Sequence, residues 1–314
     1  DSYQRLIKIG TTSESIYDMT DATLIDSVQT LSQLLEKHYG QKVILLIDEY
    51  DVPLDKAFQD GYYDEMVNLI RNLFANVLKT NDSLYFAVLT GCLRISKESI
   101  FTGFNNLKVH TISDIRYDEY FGFTNTEVDE LLEFYGLYSY KSVIQDWYDG
   151  YRFGETDVYC PWDVINYCDE LLAAPGIPPK SYWANTSGNS LILRLLEKAD
   201  QTTKDELEKL LNGGKIIKRV NQELTYRDIE DSVENVWSVL YATGYLTGKH
   251  IDQTDADIFS LWIPNGEIRK LFYELVQYWF REVTRADGTR INRFCAAFPN
   301  GDISTIQEML SDYL

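Results

Sequence analysis

The chain is short of the residues that several common chemistries need. Its three histidines, His38, His110 and His250, lie far apart, and its four cysteines, Cys92, Cys160, Cys168 and Cys295, contain no C-x-x-C pair. Zinc sites and disulfide frameworks are therefore poorly supported, and a reducing cytoplasm is the expected compartment. Basic charge is also scarce. Only 29 lysines and arginines face 49 acids, a net charge of −20, so nucleic-acid phosphates and anionic lipid meet repulsion unless a local basic face forms. No apolar run reaches the roughly 18 residues of a membrane span and the first 30 residues lack signal-peptide architecture, so no membrane association is expected.

Catalytic signatures are missing too. There is no G-x-S-x-G elbow, and no lysine stands two residues after an acid, as the [DE]-x-K element of metal-dependent nucleases requires. There is no G-x-x-x-x-G-K-[ST] loop, whose backbone N–H groups and lysine cradle phosphates. The nearest string, Gly213-Gly214-Lys215, has Lys209 where the first glycine belongs and Ile216 where the hydroxyl belongs.

What the chain does have is core material: 45% hydrophobic residues, with 23 Tyr, 14 Phe and 6 Trp, in a length that favours two domains over one. The most informative stretch is Val43-Ile-Leu-Leu-Ile47 followed by Asp48 and Glu49. Five successive apolar residues predict a strand buried on both faces, because a half-exposed strand would alternate. Ligands of open α/β sheets bind at the carboxyl ends of strands, so paired acids there suit a metal-bound phosphate and an attacking water, which is a Walker B reading. The rival reading is an acidic turn that caps the next helix.

A helix is predicted over residues 20–39, with Leu24, Val28, Leu31, Leu34 and Leu35 on one face and Gly40 as its stop. Another over 62–79 crosses to a second strand, Leu84 to Leu89, parallel to the first, and a third short strand is expected at Leu107–Ile112. In that parallel arrangement Thr90 shares an edge with Asp48 and Glu49, where its hydroxyl suits a γ-phosphate or the attacking water. Arg94 follows, with a donor fork that fits phosphate oxygens. The bland alternatives are a strand-end threonine bonding its own turn and a surface ion pair.

The α/β part ends near residue 122. Phe123-Thr124-Asn125-Thr126-Glu127-Val128 then combines a capping box and a hydrophobic staple, and Gly136 closes that helix. Residues 215–263 mix β-prone pieces (Lys215–Val220, Glu223–Tyr226, Ile258–Ile263) with a helix over Val233–Thr243, which suggests a small winged-helix-like unit. Final helices are expected at 265–285 and 302–314. Tyr148, Tyr151, Trp162, Tyr182 and Trp183 are expected in core and interdomain packing.

Successive blocks, Lys42–Leu54 (KVILLIDEYDVPL), Leu89–Leu107 (LTGCLRISKESIFTGFNNL), Phe121–Val128, Asp146–Trp162, Tyr182–Leu191 and Val236–Leu246, resemble the bacterial AAA-ATPase-like family. Its members usually carry a C-terminal nuclease-like domain of the PD-(D/E)XK class. The resemblance implies an α/β fold with a partial RecA-like parallel sheet and flanking helices over 1–122, then a mostly helical, winged-helix-like lid over 123–314. It implies Asp48 as the Walker B acid linked to Mg²⁺ through water, Glu49 as the water-activating carboxylate, Thr90 as the sensor, and Arg94 in the string that follows. It places the family's P-loop before Asp1 and the nuclease-like domain after Leu314. ATP and Mg²⁺ are then expected on the full-length protein and none on this chain alone, whose own hydrolysis should be near background. The alternative is a non-enzymatic module that binds protein or DNA through its winged-helix-like region.

Overall fold

The fold is known from a computed structural model, which describes residues 20–92, 100–101, 107–183, 200–225, 229, 232, 234–252, 254–274, 302 and 305. Helix α1 spans Asp21–Tyr39 because Thr20 caps it, accepting from the Thr23 amide at 3.3 Å, and Gly40 ends it at φ +68. Strand β1 is Val43–Ile47, followed by helices α2 (Val52–Asp60) and α3 (Tyr63–Phe74). A π-turn, Ala75–Lys79, extends α3, and β2 is Leu84–Leu89. The two strands pair in parallel, with Ile44 opposite Phe86 and Ile47 opposite Leu89. Helix α2, whose Pro53 suits a first turn, was not anticipated from the sequence.

Helix α3 buries Val67, Ile70 and Phe74, and the π-turn buries Val77, each worth about 2 kcal/mol in apolar transfer. Helix α1 is tied to the π-turn by Asn76, which donates to Asp26 Oδ1 at 2.8 Å, and by Gln29, which donates to the Thr80 carbonyl at 3.0 Å. On α1, Ser32 is buried while Leu31 stays 53% exposed, so its apolar face is narrower than the leucine spacing predicts.

Two expectations for this region fail. Strand β1 is not buried on both faces: Ile44 and Leu46, with Phe86 and Val88 opposite them, are 58%, 73%, 56% and 40% exposed. The alternating set, Leu45, Ile47, Ala87 and Leu89, is half-buried, so the ladder is covered on one face only among the described residues. Leu107–Ile112 forms no strand. It finds no ladder partner among the described residues, Leu107 and Val109 stay 40% exposed, and the Ile112 carbonyl instead accepts from the Gly154 amide at 2.8 Å.

Helix α4 (Asn125–Phe134) opens with the expected capping box. The Thr124 amide donates to Glu127 Oε2 at 2.8 Å, and the Glu127 amide donates to Thr124 Oγ1 at 3.4 Å. Phe123 packs against the core cluster that contains Val128, and Gly136 follows the helix at φ +69. Then come α5 (Lys141–Tyr148), the hairpin β3 (Tyr151–Phe153) and β4 (Thr156–Val158), α6 (Pro161–Ala173) and α7 (Gln201–Leu211). Val128, Leu132, Ile144, Tyr148, Tyr159, Val164, Tyr167 and Leu171 form one buried cluster. Its phenols are partnered: Tyr148 donates to the Lys180 carbonyl at 3.0 Å and Tyr167 to the Ile177 carbonyl at 2.9 Å. Trp162, expected in the packing, is 62% exposed on the first turn of α6.

Strand β5 (Ile216–Arg219), helix α8 (Asn235–Ala242), β6 (Thr247–His250) and β7 (Ile258–Trp262) follow, with the strands ordered β5-β7-β6. Residues 223–225 are not a strand, and Tyr226 lies outside the described residues. Residues 266–274 are helical; 275–285 and most of 302–314 lie outside. The chain is thus mixed α/β. It divides into two compact units, one of Asp1–Thr111, Lys218–Gly244 and His250–Phe259, the other of Ile112–Ile217, Tyr245–Lys249 and Ser260–Leu314.

Candidate functional site

Parallel pairing in register brings the ends of β1 and β2 together. The Thr90 amide donates to the Ile47 carbonyl at 2.9 Å, and the Tyr50 amide donates to the Thr90 carbonyl at 2.9 Å, so the ladder continues one step past both strands. Within that step the Thr90 hydroxyl donates to Asp48 Oδ1. The Glu49 amide donates to both acceptors beside it, Asp48 Oδ1 at 3.1 Å and Thr90 Oγ1 at 3.3 Å. Asp48, Glu49 and Thr90 are all exposed, so this edge is open rather than sealed beneath packing. Three of the four residues singled out from the sequence are therefore neighbours. The fourth, Arg94, lies outside the described residues.

Asp48 Oδ2 and the Glu49 carboxylate make no hydrogen bond among the described residues, and both are free to face a ligand. Glu49 sits at φ +52, in the left-handed region where a side chain other than glycine costs about 1 kcal/mol. That conformation turns the chain sharply as β1 ends, placing successive carboxylates on the strand tip.

One residue of this site escaped the sequence reading. Asp51 is 3% exposed and stands at the N-cap of α2, yet its side chain makes no capping bond. Its Oδ2 instead accepts from the Cys92 amide at 3.0 Å. A Cβ on Gly91 would lie 2.7 Å from Asp51 Oδ1 and 2.7 Å from the Tyr50 ring, so only glycine lets the turn after β2 approach this closely. Crowding by the surrounding chain pushes the Cys92 thiol up to about 11, and the carboxylates of Asp51, Glu49 and Asp55 push the same way. The carboxylates are the part of that shift a substitution can remove. The signal that could have exposed Asp51 was Pro53: it marks a helix start and so identifies Asp51 as a cap with a side chain to spend.

Among the described residues no three His, Cys, Asp or Glu side chains are grouped to hold a metal by themselves. The edge at 48–49 fits another kind of ion. Mg²⁺ held mainly by phosphate oxygens and water needs only one or two carboxylates, and Asp48 Oδ2 meets that need. Gly213-Gly214 is no phosphate cradle. The two amides donate to the Leu210 and Lys209 carbonyls, closing the C-terminal end of α7, which is the wrong end of a helix for an anion. A polar depression lined in part by Asp146, Trp147, Asn265 and Arg269 holds none of the predicted site residues.

Residues 3–101 match a protein family described as "Predicted AAA-ATPase", and the edge formed by Asp48, Glu49 and Thr90 lies inside that stretch. A curated relative from Azotobacter chroococcum mcd 1, described as "Uncharacterized protein in vnfD 5'region", is 28% identical over 234 residues, covering 73% of this chain and 42% of its own length. The chain thus spans less than half the length of that relative. No solved structure matches the chain.

Proposed function

We propose that the chain carries the hydrolytic edge of a Mg²⁺-dependent P-loop ATPase, acting in a longer polypeptide whose remaining part supplies the phosphate cradle. The observation that carries this reading is the hydroxyl–carboxylate contact of Thr90 with Asp48 at adjoining parallel strand ends, with Glu49 open beside it. Support also comes from the family match over residues 3–101.

In this account Asp48 keeps its orientation because Oδ1 is occupied by Thr90 and the Glu49 amide, which leaves Oδ2 to hold water of the Mg²⁺ shell. Bound Mg²⁺ would neutralise phosphate charge. Glu49 accepts the proton of the attacking water, and its strained backbone fixes the direction of approach. Thr90, held by backbone bonds on both sides, is poised to exchange its carboxylate partner for a phosphate oxygen. Arg94 has the residue type to stabilise charge on the transferring group. Hydrolysis then drives a conformational switch, in which residues 123–314, with a winged-helix-like region near 215–263, act as the lid. A nuclease-like domain further along the polypeptide and a cytoplasmic setting belong to the same proposal.

The test is steady-state ATP turnover by the full-length protein with Mg²⁺. Glu49→Gln should lower kcat by about 10² or more while leaving ATP binding intact. Turnover unaffected by that substitution refutes the assignment of Glu49 as base.

A further inference from the structure

The second unit buries two carboxyl groups side by side. Asp163, in the first turn of α6, is 3% exposed, and Glu267, in the helix at 266–274, is 1% exposed. Glu267 Oε1 accepts from the Tyr182 amide at 2.5 Å and the Trp183 amide at 2.9 Å. Its Oε2 and the Asp163 Oδ1 meet no donor among the described residues, although the two side chains bear directly on one another.

Two ionised carboxylates in contact, both cut off from water, repel strongly and leave acceptors unfilled. Among the described residues, the groups around them supply no positive charge. Cys160, at the start of α6, bonds Asp163, while among the described residues Tyr148 from α5, Tyr151 from β3 and Tyr182 from the turn lie near Glu267, with Tyr245 beyond Tyr151. These are a thiol and four phenols, all pushed up by burial and so neutral near pH 7. A metal ion would need more oxygens than two carboxylates provide, and no ligand triad is present among the described residues. A proton is the smallest occupant that solves both problems, because one O–H···O bond removes a charge and fills both orphaned oxygens.

We propose that Asp163 and Glu267 bind a single shared proton at neutral pH, and that this proton latches α6 and the helix at 266–274 onto the Tyr182–Trp183 turn. Glu267, as the acid, keeps its carbonyl oxygen for the two turn amides and donates from Oε2 to Asp163. Burial, and secondly the Asp163 charge, push Glu267 up to about 8. The folded value lies above the ordinary one, so the stabilisation is complete below the ordinary carboxyl range and is lost as pH rises through about 8. The latch therefore opens on the alkaline side.

The experiment is infrared spectroscopy of the chain together with urea denaturation, both from about pH 6 to about pH 10. The wild type should show a buried carboxylic-acid C=O stretch at neutral pH that fades on the alkaline side. Its unfolding equilibrium constant should rise by about tenfold for each pH unit up to about 8 and level off above it. Glu267→Gln retains the acceptor for both amides and donates to Asp163 from its own N–H group, so it should fold, lack the band and lose that slope below about pH 8. Asp163→Asn should also flatten the slope, since one charge then remains with three donors. A wild type without the band, or isosteric variants that keep the slope below about pH 8 or both fail to fold, would overturn the proposal. So would stabilisation by added Mg²⁺ or Ca²⁺ that chelator reverses, because the occupant would then be a cation.

Discussion

Asp51 turns its carboxylate away from the helix it begins and holds the backbone N–H of Cys92, 41 residues further along the chain, at 3.0 Å. An aspartate at an N-cap ordinarily satisfies its own helix, a bond worth about 1 kcal/mol. Here that bond is given up, and the side chain braces the turn that carries Thr90. Tyr50 braces the same turn through its backbone, so the carboxylate edge and the hydroxyl edge move as one piece.

Asp51→Ala should destabilise the chain by about 1–3 kcal/mol in urea denaturation, through loss of a buried hydrogen-bonded carboxylate. It should also let the Cys92 thiol fall from about 11 toward its ordinary value. Peptide-resolved alkylation on the alkaline side should therefore be faster at Cys92 in the variant than in the wild type.

Gly91→Ala brings a methyl group against Asp51 Oδ1 and the Tyr50 ring, each 2.7 Å from the new carbon. An overpacking cost of about 1–3 kcal/mol is expected. Adding Asp51→Ala should recover part of it, and a double-mutant cycle measures that coupling.

Backbone strain at Glu49 separates two substitutions that remove the same carboxylate. Glu49→Gly should be more stable than Glu49→Ala by about 1 kcal/mol, because only glycine adopts φ +52 without penalty. Paired denaturation curves check the order.

The capping box of α4 sets an acid-side dependence. The Thr124 amide, and next its hydroxyl, hold the Glu127 carboxyl below its ordinary value. Stability from this bond is present above the ordinary carboxyl range and lost as pH falls through the lowered folded value. Thr124→Ala should cost about 1 kcal/mol near neutrality and weaken that acid sensitivity, as denaturation curves near neutrality and below the ordinary carboxyl range would show.

Much of the candidate edge was legible because it depends on short-range pattern. Five apolar residues ending in Asp48-Glu49, a crossover, and a second apolar run ending in Thr90 suffice to place the three side chains together once the strands are parallel. What escaped depends on partners distant in sequence. Asp51 looks like a cap until its actual acceptor role at Cys92 is seen, and Glu267 looks like a helix-start acid until Asp163 is found beside it. Apolar runs show which residues need cover, not whether cover is at hand. Leu46 therefore lies 73% exposed in a strand expected to be buried, and Leu107–Ile112 stays outside any ladder. Strand β6, Thr247-Gly248-Lys249-His250, is too short and polar to carry a strand signal, and among the described residues it pairs with β7.

The contact between Thr90 and Asp48 is what the functional account stands on, and single-turnover hydrolysis of Mg²⁺-ATP by the full-length protein probes it directly. Thr90→Val removes the hydroxyl with little change of shape. It should slow the chemical step by about 10²-fold, roughly 2.7 kcal/mol in the barrier, with ATP affinity nearly unchanged. A full-length wild type that does not hydrolyse ATP, or a Thr90→Val variant that hydrolyses it at the wild-type rate, would contradict the account.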